Sequence, residues 1–218
     1  MPPIAHDWAQ FCTQWLGWDV NSAAPVAHPG IAGLPVSDIT QSPRKYGLHA
    51  TLKPPFRLSE GTSQDDLAAA CADLAAQQPP VHLNGLELAR FGRFLALKPV
   101  GPTQNLNTFA ANCVAGLDAF RAPLSGPEMD RRRSARLSVQ QLENLARWGY
   151  PHVMETFRFH ITLTGRLAKP QLQQAETALS EKLVPLLPRP LNITDLALVG
   201  EDGNGQFRMI SRYALTGT

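Results

Sequence analysis

The first regular pattern along the chain is helical. Trp8, Phe11, Cys12 and Trp15 fall at i, i+3, i+4 and i+7, one face of an amphipathic helix, and Gly17 supplies a stop. Residues 21–43 carry Pro25, Pro29, Gly30, Gly33, Pro35 and Pro43 with few periodic apolar positions, which predicts a long surface connection. Within residues 46–56 the first half reads as a strand, because Pro54 and Pro55 would spoil a central ladder further on. Ser63 and Asp66 form a capping-box-like opening for a helix through about Gln77, and strands follow over 81–89 and 93–98 with Gly92 in the turn. Leu106, Phe109, Ala110, Cys113 and Leu117 mark another helix, and Ser138 with Gln141 caps one carrying Leu142 and Leu145. Pro170 opens a helix through about Leu183, before strands near 191–199 and 206–215 joined by Asp202-Gly203-Asn204-Gly205.

The order of elements after residue 160 repeats the order after residue 49. His49-Ala50-Thr51-Leu52 and His160-Ile161-Thr162-Leu163 share one pattern. Val81 follows the first histidine by 32 residues (81 minus 49), and Leu191 follows the second by 31 (191 minus 160). Matching motifs followed by helix, strand and strand at matching offsets indicate an internal duplication, in which two lobes would face one cleft. The chain is read as a single domain, 1–218, with lobes over about 44–100 plus 1–20 and over 150–218, and a helical connection over 101–149.

Composition narrows the chemistry. With 44% hydrophobic residues the chain can bury a core, and 20 basic against 18 acidic residues is too even for a dedicated nucleic-acid binder while leaving a small anionic substrate compatible. Cys12, Cys71 and Cys113 are an odd number at unrelated spacings, which argues for reduced thiols rather than a disulfide framework or zinc knuckle. The opening residues have neither a basic nor an apolar leader pattern and no stretch has the length of a membrane span, so a cytoplasmic protein is expected.

In a strand, alternate side chains share a face, so His49 would project with Thr51 and His160 with Thr162. Imidazole exchanges protons near neutral pH, and two imidazoles on opposite sides of a phosphorus can serve as base and acid in one displacement. Threonine hydroxyls can donate hydrogen bonds to the non-bridging phosphate oxygens and offset charge that grows in the transition state. Either motif alone is weak, since threonine favours strands and a lone histidine is usually a satisfied structural residue. Their recurrence at equivalent points of a duplication carries the argument.

The segments Tyr46-Gly47-Leu48-His49-Ala50-Thr51-Leu52-Lys53 and Arg158-Phe159-His160-Ile161-Thr162-Leu163-Thr164-Gly165 resemble the signatures of the two-histidine (2H) phosphoesterase superfamily. Together with Trp148-Gly149-Tyr150-Pro151 they are similar to its phosphonate-metabolism branch, over a span from about Phe11 to the final strand. The chain departs from that group in starting almost directly at the first helix, where relatives begin with a short apolar strand. The resemblance implies a bilobal, duplicated α+β fold with antiparallel sheets lining a central cleft and helices packed outside. It implies no metal and no cofactor, and hydrolysis or transesterification of phosphodiesters, commonly cyclic ones. Carried over by position, His49 and His160 become the general acid and base, in an order the sequence leaves open, and Thr51 and Thr162 the phosphate anchors.

Further candidates for substrate binding are Lys53 and Arg158, which share the parity of the motif histidines, Tyr46, which needs Gly47 to break the strand alternation, Tyr150 in a Gly-Tyr-Pro turn, and Arg121. The run Arg131, Arg132, Arg133 could add an anion-binding rim, although such a run is usually a solvated face. His6, His28, His82 and His152 have no catalytic role in this reading. Each motif offers one imidazole, without the histidine and carboxylate spacing of zinc or non-haem iron sites, and neither a Gly-x-x-x-x-Gly-Lys-Ser/Thr loop nor a Gly-x-Ser-x-Gly elbow is present. The expected function is metal-independent hydrolysis of a small (cyclic) phosphodiester linked to phosphonate metabolism, the partner being a small phosphorylated substrate. The alternatives are RNA end processing as a 2',3'-cyclic phosphodiesterase or ligase, and a non-catalytic module that binds a phosphorylated ligand. Nucleic acid is compatible but disfavoured, no membrane is expected, and oligomeric state is not encoded in any recognisable pattern.

Overall fold

The computed structural model of the chain describes residues 6–133 and 136–218. Its elements run α1 (Asp7–Leu16), β1 (Trp18–Asp19), β2 (Ala24–Pro25), α2 (Val36–Ile39), α3 (Gln41–Arg44), α4 (Gln64–Ala76), β3 (Val81–Leu83), β4 (Leu86–Phe91) and β5 (Phe94–Pro99). They continue with α5 (Gln104–Gly116), α6 (Gly126–Arg133), α7 (Val139–Trp148), β6 (Ile161–Thr162), α8 (Lys169–Lys182), β7 (Leu191–Ile193), β8 (Asp195–Glu201) and β9 (Phe207–Ala214). This is a mixed α+β chain whose named strand pairs are all antiparallel. It divides into two compact units. The first holds the chain up to Ala50, Val81–Pro102 and His160–Arg212, and the second holds Thr51–Pro80, Thr103–Phe159 and Tyr213–Thr218.

In the first unit α1 forms as its apolar spacing predicts. Trp8, Cys12, Trp15 and Leu16 are buried, and Gly17 ends the helix at φ 77°, a left-handed conformation that glycine adopts without a Cβ penalty. Beyond it the buried indole of Trp15 donates to the Leu163 carbonyl at 2.8 Å and that of Trp18 to the Phe207 carbonyl at 2.7 Å. The hairpin β4–β5 turns at Gly92-Arg93, and β6 adds to its far edge with Ala96 opposite Thr162 and Leu97 opposite Ile161. Leu95, Ala96 and Leu97 are all fully buried, so β5 is the covered middle strand of that sheet. β8 and β9 form a second hairpin, while β3 and β7 pair with each other, His82 opposite Asn192.

Several expectations need correction. The segment around the first motif is no strand. Residues 45 and 46 are a turn, 48 is a bend, and 49–51 carry no ladder, because Gly47 at φ 60° reverses the chain before His49. The second motif keeps only the two-residue β6. The strand expected over 81–89 breaks at Asn84-Gly85, where Gly85 has φ 143° and an added Cβ would lie 2.7 Å from the Pro188 carbonyl oxygen. The strand near 191–199 breaks likewise at Thr194. The connection over 21–43 contains α2 and α3, which bury Val36 and Ile39, so its prolines punctuate short helices rather than a bare loop.

The second unit is mainly helical. Capping boxes at Ser63 with Asp66 and at Ser138 with Gln141 start α4 and α7, satisfying backbone donors that would otherwise lack partners. α5 buries Leu106, Phe109, Ala110, Cys113 and Val114. Residues 57–59 lie antiparallel to 120–122, with the Arg57 carbonyl accepting from the Ala122 amide at 2.8 Å and the Phe120 carbonyl from the Ser59 amide at 2.9 Å. The three cysteines are free and buried, and burial pushes the Cys71 thiol up to about 11 and the Cys113 thiol up to about 12, so both stay protonated.

Replacing Trp15 by Phe should cost about 1–3 kcal/mol of stability, because it strands the buried Leu163 carbonyl without its donor. Chemical denaturation, read as a lowered midpoint at unchanged slope, checks this.

Candidate active site

Both motif histidines belong to the first unit, although 111 residues separate them (160 minus 49). His49 follows the turn that ends α3. The amide of Tyr46 donates to the Pro43 carbonyl and that of Gly47 to the Arg44 carbonyl, closing two short loops. No Cβ fits at Gly47, since it would lie 2.3 Å from Cγ2 of Val20. The turn also lays the Tyr46 ring against His49, centroids 5.4 Å apart, and against buried Phe207 at 4.8 Å, with the Lys45 ammonium 4.5 Å from the centroid of the Tyr46 ring. Gly47 therefore breaks the alternation and brings Tyr46 beside the histidine.

The Nδ1 of His49 lies 3.1 Å from the Gly47 carbonyl oxygen. A carbonyl only accepts, so Nδ1 carries the proton and the lone pair of neutral His49 resides on Nε2. The side chain keeps partial solvent exposure, yet protein crowds the ring enough for desolvation to dominate, pulling its pKa down to about 4. The Gly47 hydrogen bond works against this shift, and the charge of His160 adds to it. At neutral pH, His49 is an unprotonated base with its acceptor nitrogen available.

His160 leads into β6 and lies against the aromatic pair at the β4–β5 turn, 5.5 Å from the Phe91 ring and 6.2 Å from the Phe94 ring. Phe94 begins β5 as Phe207 begins β9, so each histidine has an aromatic from the start of a hairpin's second strand in its cluster. Around the second motif burial alternates. Phe159, Ile161 and Leu163 are buried, while His160 and Thr162 are half-exposed together. Thr164 does not join them, since its buried hydroxyl accepts from the Leu95 amide at 3.0 Å and donates to the Gly165 carbonyl. Among the described residues the Gln206 Oε1, just before Phe207, is a buried acceptor without a partner.

The other candidates fall in the second unit. Thr51 opens it directly after Ala50 and is exposed. Lys53 is buried, donating to the Val114 carbonyl at 2.9 Å and to Asp118 at 3.2 Å. Arg121 grips the same carboxylate through two nitrogens, at 2.8 and 3.0 Å. Arg158 is exposed and donates to the Phe157 carbonyl at 2.8 Å. Tyr150 is half-buried with the Arg132 guanidinium 5.4 Å over its ring. Arg131 and Arg133, at the end of α6, are exposed. The aromatic partners Phe91, Phe94 and Phe207 are what sequence reasoning missed. Their only signal was position, beside hairpin turns at matching points of the two halves.

A family model described as protein of unknown function, DUF1045, matches residues 51–208. The chain belongs to the DUF1045 family. It is 41% identical over 163 residues to a ribose 1,5-bisphosphate phosphokinase PhnN from Janthinobacterium sp. (strain Marseille), covering 73% of this chain and 36% of that protein. It is 35% identical over 166 residues to the protein of the same name from Laribacter hongkongensis (strain HLHK9), covering 76% of this chain and 38% of that one. The DUF1045 chain thus spans little more than a third of the curated relatives it matches. A crystal structure of a phosphoesterase aligns over 95% of this chain and 92% of its own, at 18% identity and a TM-score of 0.41. Among the described residues no helix is long and apolar enough to cross a membrane, and no three histidine, cysteine or acidic side chains cluster as metal ligands.

His49 ionises with folding in a definite direction. Its pKa is depressed from 6.5 to about 4 in the folded chain, so between these values the unfolded state binds the extra proton and stability falls as pH drops. The fall should start near pH 6.5 and level off near pH 4. Denaturation midpoints across this range, compared with His49→Gln, check it, and the variant should show the shallower decline.

Proposed function

We propose that the chain is a metal-independent phosphodiesterase of the two-histidine type, hydrolysing a small, cyclic phosphodiester in phosphonate metabolism. The observation that carries this reading is the pair itself: two half-exposed imidazoles from equivalent motifs share one unit and feel each other's charge, and one of them is held neutral with Nε2 as its acceptor. The reciprocal pairing of β3 with β7, and a hairpin following each, support the duplicated, two-lobed architecture that such a site implies.

In the proposed reaction His49 is the base. Its Nε2 takes a proton from water as the water oxygen bonds to phosphorus, and the opposite phosphorus–oxygen bond breaks. His160 gives a proton to the departing ester oxygen, so the ring opens to a phosphate monoester and a hydroxyl. The exchanged protons restore the pair through solvent. Thr162, half-exposed beside His160, would donate to a non-bridging oxygen, and Thr51 takes the same role by the motif it shares. Tyr46 would flank the substrate from its place against His49.

The PhnN relatives are named as ribose 1,5-bisphosphate phosphokinases, which suggests a phosphorylated pentose as substrate class. Kinase chemistry is not our reading for this chain, whose sequence has no Gly-x-x-x-x-Gly-Lys-Ser/Thr loop to cradle a nucleoside triphosphate. RNA end processing is disfavoured by the even charge balance of 20 basic to 18 acidic residues. A purely binding role would leave the base-form histidine without a task.

A panel of cyclic phosphodiesters, including cyclic pentose phosphates, followed by phosphorus NMR in excess chelator, should show ring opening to monoesters. His49→Ala and His160→Ala should each abolish it while retaining the native circular dichroism. On a para-nitrophenyl diester, whose leaving group needs no proton, His160→Ala should recover activity and His49→Ala should not. Equal inactivity of both there would reverse or remove the assignment of base and acid. Thr51→Ala and Thr162→Ala should each lose about 2–4 kcal/mol of transition-state binding, read from kcat/KM.

A further inference from the structure

Trp148-Gly149-Tyr150-Pro151 has no part in the histidine chemistry, yet its first two residues form the wall of a pocket inside the second unit. The cavity measures about 30 Å³, too small to enclose a nucleoside. Four cationic side chains line it, Lys53, Arg57, Arg121 and Arg132, and Glu128 is the carboxylate among them. Phe56 and Trp148 supply apolar surface.

The charges do not cancel. Lys53 and Arg121 share Asp118, behind the lining, and their hydrogen bonds outweigh the effect of burial to hold its carboxyl below the usual range, so it stays ionised. Arg57 meets Glu128 through two nitrogens, both at 3.0 Å. Among the described residues the partners of Arg132 are the Gly149 carbonyl and the Tyr150 ring, neither of them charged. Four cations thus face two carboxylates, and the surplus sits where Lys53 and Arg121 retain side-chain exposures of only 7% and 16%. An uncompensated charge in such a setting attracts an anion far more strongly than it would at an open surface.

The glycine is part of the construction. Gly149 ends α7 at φ 71°, and a Cβ there would lie 2.9 Å from Nη1 of Arg121, so a larger residue would push this guanidinium away. Its carbonyl meanwhile orients Arg132.

We propose that this pocket is a binding site for a phosphate or phosphonate group, held chiefly by the guanidinium of Arg132 and by Nη1 of Arg121, whose other nitrogens are taken by Asp118, and walled by Trp148. It lies wholly within the second unit and does not depend on the histidine reaction.

Titration calorimetry of the full chain with inorganic phosphate, and separately with methylphosphonate, tests this against chloride at equal ionic strength. Saturable binding of either oxyanion is expected. Arg132→Gln should weaken it at least tenfold, Glu128→Gln should tighten it severalfold by removing the lining carboxylate while leaving an amide oxygen to accept from the Ser125 amide, as Glu128 does, and the double variant His49→Ala/His160→Ala should leave it unchanged. Native unfolding temperatures for the glutamine variants establish that they fold. Absence of saturable heat overturns the proposal. So does binding that survives Arg132→Gln but is lost in the histidine double variant, which would locate the anion at the histidines. Turnover of a diester is a separate measurement, so neither reading stands or falls with the other.

Discussion

Two indole hydrogen bonds at the end of α1 hold the two histidine-bearing segments together. Trp15 reaches the carbonyl of Leu163, the last residue of the second motif, and Trp18 reaches that of Phe207, the aromatic beneath Tyr46 and hence beside His49. One short helix and the strand after it therefore fix both histidine-bearing segments from behind. A buried indole donates but does not accept, and each of these carbonyls would pay a desolvation penalty without it. Geometry that depends on such bonds is difficult to deform gradually, as the proposed reaction would require of two proton carriers on opposite sides of a phosphorus.

The electrostatics of the pair follow from that confinement. Confinement lowers the proton affinity of His49, since crowding by protein outweighs the help from the Gly47 carbonyl. His160 rests instead against Phe91 and Phe94 at a hairpin turn. The aromatic surroundings of the two histidines are similar in kind.

Much of this was legible in the sequence, and the reason is periodicity. The buried stripe of α1, both capping boxes, the two-residue β4–β5 turn and the helix opened by Pro170 each follow from spacing that a single element imposes. The misreadings fall where tertiary contacts override local preference. Strands expected to run through residues 84–85 and 194 break because β3 and β7 pair with each other while the following residues pair in separate hairpins, an arrangement no local pattern announces. The His-x-Thr parity held for the second motif, which adds to β5, and lost its strand basis in the first, where no ladder enforces alternation. Lys53, read as a strand neighbour of Thr51, proved to be committed to Asp118, 65 residues away in sequence and therefore invisible to spacing arguments.

Gly47 shows how a residue without a side chain can set the chemistry of its neighbour. Its positive φ turns the chain so that the Tyr46 and His49 rings come into tilted contact, and the room it leaves is taken by Val20, so no larger residue can replace it without moving the core. The same residue's carbonyl receives the Nδ1 proton of His49. If that carbonyl pointed elsewhere, the imidazole could place its proton on either nitrogen, and the acceptor would face the substrate only part of the time. Fixing the tautomer through backbone rather than through a carboxylate has a further consequence: a carboxylate would raise the histidine's pKa strongly, whereas a neutral carbonyl orients the ring and opposes its depression too weakly to cancel it. The glycine turn thus supplies the orientation that a general base would need, while desolvation supplies the neutrality.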